Sequence, residues 1–227
     1  YYVDSTLGSA QTSQTACLAG TYNPNTGSTS SSACGDADAG YYVPTTGQST
    51  QTACLAGTYN PNTGSTRSVD CLESIVGYHV PTSGQSIQTA CDAGSYQPDT
   101  GQDDCDDADL GYYVPATGQS TQTECVIGTY QTLAGQSSCD EADAGYYVDQ
   151  TGQSTQTACL AGTYNPNTGS TSSSACGNAD AGYYVPTTGQ STQLAADAGY
   201  YVPTPGQSSQ TACFAGTYQA STGQDDC

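Results

Sequence analysis

GSYQPDTGQDDCDDADLG, residues 94–111, is the stretch that decides the fold. After its first glycine it places a tyrosine two residues on, a proline at four, a second glycine at seven and a cysteine at eleven. The same spacing recurs along the chain, with leading glycines at 20, 40, 57, 77, 94, 111, 128, 145, 162, 182, 199 and 216. With a first unit that starts at Tyr1, there are thirteen units, spaced by 17 or 20 residues. The spacing predicts a tandem-repeat architecture.

We call each unit a module, name it by its leading glycine, and count positions from that glycine. Seven modules open with Tyr-Tyr or, at Tyr78-His79, a variant of it, and six open with Thr-Tyr or Ser-Tyr. All 19 tyrosines fall in these places, which indicates packing from module to module and not a single active centre. We expect the following aromatics to stack: Tyr22, Tyr42, Tyr59, Tyr96, Tyr113, Tyr130, Tyr147, Tyr164, Tyr184, Tyr201 and Tyr218.

The twelve cysteines follow the module type. Each Thr-Tyr or Ser-Tyr module has one cysteine three residues before its glycine and one near its end, whereas Tyr-Tyr modules lack both. Ala108 and Gln122 occupy the two empty places around Gly111, and Ala142 and Gln156 those around Gly145. Joint presence and joint absence predict six local disulfides: Cys17–Cys34, Cys54–Cys71, Cys91–Cys105, Cys125–Cys139, Cys159–Cys176 and Cys213–Cys227.

Each predicted bond closes a short loop, which corresponds to about 3 kcal/mol of chain-entropy stabilisation. The alternative is reduced cysteines or a metal site. Zinc sites usually show C-x-x-C pairs or histidines at ligand spacing, and this chain has neither.

The composition leaves little material for an apolar interior, since the chain has one phenylalanine, no tryptophan and no methionine. Small cystine-rich modules replace a core with crosslinks, and they persist in oxidising compartments. We therefore expect an extracellular protein, secreted or part of a cell-surface appendage. The predicted fold class is mostly β or irregular: an elongated array of disulfide-stapled β-hairpins, with no helix and no large hydrophobic core.

Within a module, Tyr-Tyr-Val or Thr-Tyr-Gln favours a short strand, proline ends it, and the second glycine makes a turn with positive φ. We expect each tyrosine ring to lie over a neighbouring module's disulfide or glycine, each module to touch only its neighbours, and the array to form a rod. Three-residue insertions before some closing cysteines should protrude from the surface. The predicted repeats are 1–34, 35–71, 72–105, 106–139, 140–176, a cysteine-free half-repeat 177–193, and 194–227.

The charge is strongly one-sided, with 21 acidic residues, one arginine and a net charge of −20. Nucleic acid is excluded as a partner because phosphate binding needs a basic surface. No apolar run is long enough for a membrane span. Solubility and repulsion explain the acidic residues, and weak calcium binding is the alternative, with these candidate ligands: Asp106, Asp107, Asp109, Asp140 and Asp143. Otherwise we expect no cofactor.

Catalytic machinery is not indicated by the sequence. The lone histidine, His79, stands in a tyrosine place, and without a second histidine no Ser-His or Cys-His pair forms. We expect the protein not to be an enzyme. The serine-rich tracts 28–32 and 170–174 could carry O-linked sugar, or could be solvated turns.

A family resemblance covers essentially the whole chain, and one segment illustrates it. Cys125 to Tyr130, followed by Gly135 to Cys139, resembles the cysteine-rich repeat of ephrin-receptor-type ectodomains, which is related to EGF-like and tumour-necrosis-factor-receptor-like modules. That family has a second cysteine where this chain has Ala108 and Ala142, so half of its disulfides are missing here. The resemblance implies an elongated extracellular β module with local disulfides and carries over no ligand site.

Two functions remain open from the sequence. The first is a structural extracellular protein that assembles with itself into a fibre, stalk or filament, as a segment cut from a longer array. The alternative is a cell-surface adhesin or receptor ectodomain that binds a protein or glycan and that calcium could stiffen. Residues 64–80 are the one divergent stretch, with these departures: Arg67, Val69, Leu72, Ile75, Val76 and His79.

Overall fold

The computed structural model describes residues 1–3 and 13–227, where the modules fold as small antiparallel hairpins. Eleven modules have two paired strands, and the Tyr1 module has a single bridge between Tyr2 and Thr15. The Gly216 module has no strand but is closed by Cys213–Cys227. The described residues contain no α-helix, so the predicted fold class is confirmed.

The strands are all two residues long. In chain order they are β1 (Thr21–Tyr22), β2 (Gly35–Asp36), β3 (Tyr41–Tyr42), β4 (Thr52–Ala53), β5 (Thr58–Tyr59), β6 (Leu72–Glu73), β7 (Tyr78–His79), β8 (Thr89–Ala90), β9 (Ser95–Tyr96), β10 (Asp106–Asp107), β11 (Tyr112–Tyr113), β12 (Thr123–Glu124), β13 (Thr129–Tyr130), β14 (Asp140–Glu141), β15 (Tyr146–Tyr147), β16 (Thr157–Ala158), β17 (Thr163–Tyr164), β18 (Gly177–Asn178), β19 (Tyr183–Tyr184), β20 (Leu194–Ala195), β21 (Tyr200–Tyr201) and β22 (Thr211–Ala212).

The Gly40 module shows how one hairpin is built. β3 pairs with β4 so that Tyr41 faces Ala53 and Tyr42 faces Thr52. The chain reverses at Gly47, whose φ of 74° lies in the left-handed region that favours glycine, as predicted for the turn. The N–H of Cys54 then donates to the carbonyl of Gly40 at 2.9 Å, which closes the hairpin at its base.

Three modules contain the three-residue insertion, and in each it forms a single 3₁₀ turn with no buried residue. The turns are Ser31–Ala33, Ser68–Asp70 and Ser173–Ala175. In the middle one, Asp70 accepts hydrogen bonds from the N–H groups of Thr66 and Arg67, which lower the pKa of its carboxyl group. The insertions therefore lie at the surface, as predicted.

In most modules the buried residues are the leading glycine and the residues three positions before and three positions after it. Valine at position +3 is fully buried or nearly so in six of the seven Tyr-Tyr modules, while Val3 of the Tyr1 module is partly exposed. Asparagine or glutamine takes its place in the Thr-Tyr and Ser-Tyr modules. The buried side chains are Cys17, Asn23, Ala37, Val43, Cys54, Asn60, Ser74, Val80, Cys91, Gln97, Ala108, Val114, Cys125, Gln131, Ala142, Val148, Cys159, Asn165, Ala179, Val185, Ala196 and Val202. The predicted absence of a large core holds for the described residues.

The buried amides have partners for their polar atoms. In Asn60, the side-chain nitrogen donates to the Tyr41 carbonyl at 3.2 Å and to Ser65 Oγ at 2.8 Å, while its oxygen accepts from the N–H of Asn62 at 3.1 Å. In the shorter modules the longer glutamine reaches across its own loop, and Gln97 Nε2 donates to the Asp104 carbonyl at 2.8 Å. Burial of these groups is tolerated because each makes its hydrogen bonds.

The chain divides into two compact units. One comprises Tyr1–Asp107 with Ala116–Thr121, and the other Ala108–Pro115 with Gln122–Cys227. In the first unit, three backbone hydrogen bonds join the Gly40 module to the next, two of which run from Gly40 N to Asn60 O at 2.7 Å and from Val43 N to Ser65 O at 2.9 Å. The third runs back, from Gly64 N to Ala37 O at 2.8 Å.

The second unit repeats this pattern. Gly145 N donates to Asn165 O at 2.8 Å, Val148 N to Ser170 O at 2.9 Å, and Gly169 N to Ala142 O at 2.7 Å. Consecutive modules in both units are therefore joined by the same main-chain bonds, although these lie outside the two-residue strands.

The expectation that a module touches only its neighbours is wrong. A Cβ added to Gly40 would lie well inside van der Waals contact of the carbonyl group of Gly84, two modules further on. Gly145 and Gly189 make the same close approach in the second unit. Each hairpin is thin, so the turn of one module reaches the leading glycine of the module two places before it. That glycine therefore has no room for a side chain.

This close approach predicts the effect of a single methyl group. Gly40→Ala should destabilise the protein by about 3 kcal/mol, because the new Cβ meets the Gly84 carbonyl and the backbone has positive φ. Gly35→Ala is the matched control, since its Cβ would meet nothing within 4 Å and φ is not positive. Urea unfolding of both variants measures the difference, and equal stabilities would contradict the packing described here.

Candidate functional site: the hairpin closures and their grooves

The six disulfides join the predicted pairs. Their Cα–Cα separations are 5.5–5.8 Å, within the usual range for the bond, and all twelve cysteines are used. In five of them the first cysteine is buried, while the second is partly exposed. The bond ties the base of the hairpin to the return segment of the same module.

Modules without cysteine are closed by an aspartate and a glutamine. In the Gly145 module, Gln156 Oε1 accepts from the N–H of Asp143 at 2.7 Å, and Gln156 Nε2 donates to Asp143 Oδ2 at 2.6 Å. The same two hydrogen bonds form in the pairs Asp38–Gln51, Asp109–Gln122, Asp180–Gln193 and Asp197–Gln210. Sequence reasoning had noted Gln122 and Gln156 only as absent cysteines, so this closure was missed.

The Gly77 module is the exception among these closures. Ile75 stands where the others have aspartate, so only the main-chain half remains, with Ile75 N donating to Gln88 Oε1 at 2.9 Å. All six of these closures contain a glutamine that accepts a hydrogen bond from a main-chain N–H. In five of them the glutamine also donates a charge-assisted hydrogen bond to the aspartate carboxylate.

Two of the five acidic residues predicted as calcium ligands take part in these closures. Asp109 and Asp143 are bonded to glutamine, while Asp106, Asp107 and Asp140 lie on the exposed strands β10 and β14. Over residues 1–3 and 13–227, one group brings three histidine, cysteine or acidic side chains within ligating distance, and it contains no carboxylate. Calcium binding stays a prediction.

In four Tyr-Tyr modules the second tyrosine lies beside the next module's disulfide. Tyr147 forms one wall of a groove of about 260 Å³ whose other lining residues include Cys159, Leu160, Ser173 and Cys176. Tyr2 lines an equivalent groove of about 360 Å³ over Cys17–Cys34, Tyr42 one of about 160 Å³ over Cys54–Cys71, and Tyr113 one of about 260 Å³ beside Cys139. The molecule therefore carries a repeated groove and not a single pocket.

A leucine marks the rim of three of these grooves. Leu18, Leu55 and Leu160 each follow the first cysteine and are 72–75% exposed. An exposed aliphatic side chain next to a tyrosine ring and a disulfide makes a mostly apolar patch on an otherwise acidic surface. Such repeated patches suit contact with another macromolecule better than chemistry on a small substrate.

Two tyrosines of the Thr-Tyr modules, Tyr22 and Tyr130, lie against the aspartate of the following aspartate–glutamine closure. Tyr22 Oη donates to Asp38 Oδ2 at 3.4 Å, and partial burial together with that carboxylate raises the pKa of Tyr22. Partial burial, followed by the charges of Asp143 and Asp140, likewise raises the pKa of Tyr130. In both module types, then, a tyrosine ring at position +2 lies against the closure of the following module, as Tyr147 and Tyr22 show.

The first tyrosine of each Tyr-Tyr pair has a different role, which sequence reasoning missed. Tyr41 reaches the turn two modules on, where a Cβ on Gly84 would lie 2.7 Å from its Oη, and Tyr146 does the same at Gly189. In other modules an acidic side chain reaches this turn, as when Thr168 Oγ1 donates to Glu141 at 3.1 Å, and Asn178 takes this place at Gly206. The doubling of tyrosine in alternate modules was the available signal.

Tyr112 departs from this arrangement by pairing with a carboxylate. Its Oη donates to Glu124 Oε1 at 3.3 Å across the β11–β12 hairpin, and Glu124 also accepts from Thr151 at 2.7 Å. The negative charge of Glu124 raises the pKa of Tyr112.

His79 occupies a tyrosine place, as expected, and faces the closure of the next module. Its Nδ1 lies 3.1 Å from Cys105 Sγ, so the expectation that no Cys-His pair forms is wrong, although this sulfur belongs to a disulfide. The Cys91–Cys105 disulfide is therefore covered by an imidazole ring where other disulfides have a phenol ring.

No protein-family model matches this chain, and comparison with curated proteins finds no match. The structure shows tandem, small, disulfide-bonded β-hairpin modules, and the comparisons assign the chain to no family. The six disulfides indicate an oxidising environment. Over the described part of the chain, no helix has the length and apolar character needed to cross a bilayer.

The glutamine closures predict graded stability effects. Gln156→Ala should cost about 2 kcal/mol, because it removes two hydrogen bonds and one of them is charge-assisted. Gln88→Ala should cost about half as much, since Ile75 offers only its N–H. Chemical denaturation of both variants checks this ranking, and equal costs would show that the aspartate side chain contributes nothing.

The tyrosine–glutamate contact predicts a pH effect. Because Glu124 raises the pKa of Tyr112, the contact stabilises the fold below the normal tyrosine pKa near 10, and this stability is lost as pH rises through the higher folded value. Glu124→Gln should lower the pH at which one tyrosine ionises, as followed by ultraviolet absorbance. Glu141→Gln makes the same charge change away from Tyr112 and should leave that transition in place.

Proposed function

We propose that this chain is a structural extracellular protein whose repeats stack or join head to tail into a fibre, stalk or filament. The observation that supports this most directly is the identity of the contacts between modules. In both units a module gives its leading N–H and its position +3 N–H to the following module, as Gly40 and Val43 do in the first unit and Gly145 and Val148 in the second, and accepts the same bonds from the preceding one.

Such contacts are heterologous, because the donating and accepting faces of a module are different. An added module meets one face and leaves an equivalent face open, and contacts of this kind build open arrays unless a rotation closes them. The close approach between a leading glycine and a turn two modules away adds a second set of contacts with the same direction. The stacking therefore extends by repetition, without any special residue at a junction.

The closures suit a protein that must last outside the cell. Disulfides close the loops of the Thr-Tyr and Ser-Tyr modules, and hydrogen bonds close those of the Tyr-Tyr modules. The chain has a single arginine and no lysine, so proteases that cleave after basic residues have almost no sites. Its net charge of −20 opposes side-by-side association at low salt, which favours end-to-end or cation-screened contacts between copies.

Sugar attached to the surface serines would fit the same role. The 3₁₀ turns present Ser31 and Ser173 on exposed insertions, where a glycan would not disturb the hairpin. Nucleic acid has no place in this function, since the chain lacks the basic surface that phosphates need.

A binding module is the alternative, and one observation favours it. Three apolar side chains of the divergent stretch 64–80 are exposed, Val69 at 69%, Leu72 at 46% and Ile75 at 50%, and Arg67 forms an ion pair with Asp70. Together with the grooves, these side chains would offer an apolar surface to a protein or glycan at a cell surface, as in an adhesin or receptor ectodomain.

Electron microscopy of the purified chain, with and without a reductant and over a range of salt, tests the structural role. We expect extended assemblies that lengthen with concentration and are lost on reduction. Gly40→Ala should also abolish them, and Gly35→Ala should not. Uniform globular particles at all concentrations would overturn the proposal.

The alternative has its own measurement. If the protein captures a ligand from a cell-surface extract, the double variant Arg67→Ala/Ile75→Ala should lose it. Leu160→Ala, which changes a groove outside the divergent stretch, should keep it. That result, without filaments, would replace the structural role with the binding role.

A further inference from the structure

His79, Cys91 and Cys105 form the one group of three ligating side chains found together in residues 1–3 and 13–227. One atom from each, the histidine Nδ1 or a cysteine Sγ, lies within 4.8 Å of the others. His79 and Cys105 are partly exposed, and Cys91 is buried. In the oxidised protein the two sulfurs are bonded to each other, so neither is a thiolate.

We propose that reduction of the Cys91–Cys105 disulfide creates a zinc site from these two sulfurs and His79 Nδ1. Two thiolates and a neutral imidazole are ligands that Zn²⁺ prefers, and three protein ligands leave a fourth position open to water. The site is absent while the disulfide is intact, so metal binding depends on the redox state. The inference does not rest on the structural function proposed above.

The chemistry balances with an external dithiol as reductant. One thiolate of the dithiol attacks a sulfur of the Cys91–Cys105 bond, and its second thiol then releases the protein by forming a cyclic disulfide. Two electrons pass from the dithiol to the protein, which gains two thiols. Binding of Zn²⁺ to those thiols releases two protons, while the His79 ring keeps its proton on Nε2.

Contacts other than the disulfide also hold the three ligands in place. Cys91 N donates to Gly77 O at 2.9 Å, His79 lies on β7 opposite Thr89, and Gln97 Nε2 donates to the carbonyl of Asp104, next to Cys105, at 2.8 Å. Zinc ligands lie about 2.0–2.3 Å from the metal, so tetrahedral ligand atoms are about 3.5–4 Å apart. The sulfurs need to separate by about 2 Å to reach this geometry, and His79 needs to move less.

The local charge favours a divalent cation. Asp103, Asp104, Asp106 and Asp107 lie within two residues of Cys105, on a chain with a net charge of −20. A negative field of this kind raises the local concentration of cations. The carboxylates are not needed as ligands.

The chain contains its own control for this site. Cys125–Cys139 closes a loop with the same separation of 14 residues, but Tyr113 occupies the place that His79 holds over Cys91–Cys105. Two thiolates without an imidazole should bind zinc more weakly, because one of three ligands is missing.

Zinc-protected alkylation of the full chain tests the proposal. The protein is reduced with graded dithiothreitol, freed of excess reductant, mixed with increasing zinc chloride and treated with iodoacetamide, and each cysteine is scored by peptide mass spectrometry. We expect Cys91 and Cys105 to be protected at zinc concentrations at least about tenfold lower than Cys125 and Cys139. Equal protection of both pairs, including the case in which the reduced chain has unfolded, would overturn the site.

Two reciprocal variants make the test specific for the imidazole. His79→Tyr installs the tyrosine that other Tyr-Tyr modules have at this position, so the hairpin should fold. Cys91 and Cys105 should then need as much zinc for protection from alkylation as Cys125 and Cys139. Tyr113→His should give Cys125 and Cys139 the same protection. Substitution of cobalt for zinc supplies a second readout, since thiolate-to-cobalt absorption should appear after reduction and depend on His79. If both variants behave like the parent chain, the histidine is no ligand and the proposal fails.

Discussion

The leading glycine of each module is the constraint on which the rest of the structure depends. Gly40 has a φ of 90°, accepts the closing hydrogen bond of its own hairpin and donates its N–H to the following module. It also faces the carbonyl of Gly84 at a distance that leaves no room for a Cβ. One residue without a side chain thus defines the base of a hairpin, its contact with the next module and its contact with the module after that.

The hairpins differ in how this base is closed. A disulfide does it in one type of module, and a glutamine capping a main-chain N–H does it in the other, with an aspartate completing all but one of those pairs. An aromatic ring at position +2 lies beside either closure, as Tyr147 and Tyr22 show. The protein obtains its order from short loops and main-chain bonds, since each module buries little beyond its leading glycine, the residue at −3 and the valine, asparagine or glutamine at +3.

This construction distributes surface chemistry evenly along the chain. Grooves recur beside the disulfides, carboxylates recur at the junctions, and neither gathers into one centre. A protein that repeats its surface in this way is suited to repeated contacts, which is the basis of the structural role proposed above. His79 is the exception, because its substitution for tyrosine puts a ligating nitrogen beside two sulfurs in one module.

The sequence by itself determined the hairpins, their positive-φ turns and the pairing of Cys91 with Cys105 and its equivalents. These features are local, with partners 14 or 17 residues apart inside one repeating unit, so the pattern of presence and absence is sufficient. The tertiary structure alone decided that Tyr41 meets the turn at Gly84, that Gln156 bonds Asp143, and that Val43 and Asn60 are buried. Those contacts depend on how far one hairpin is displaced and rotated relative to the next, and repeat spacing carries no information on that displacement.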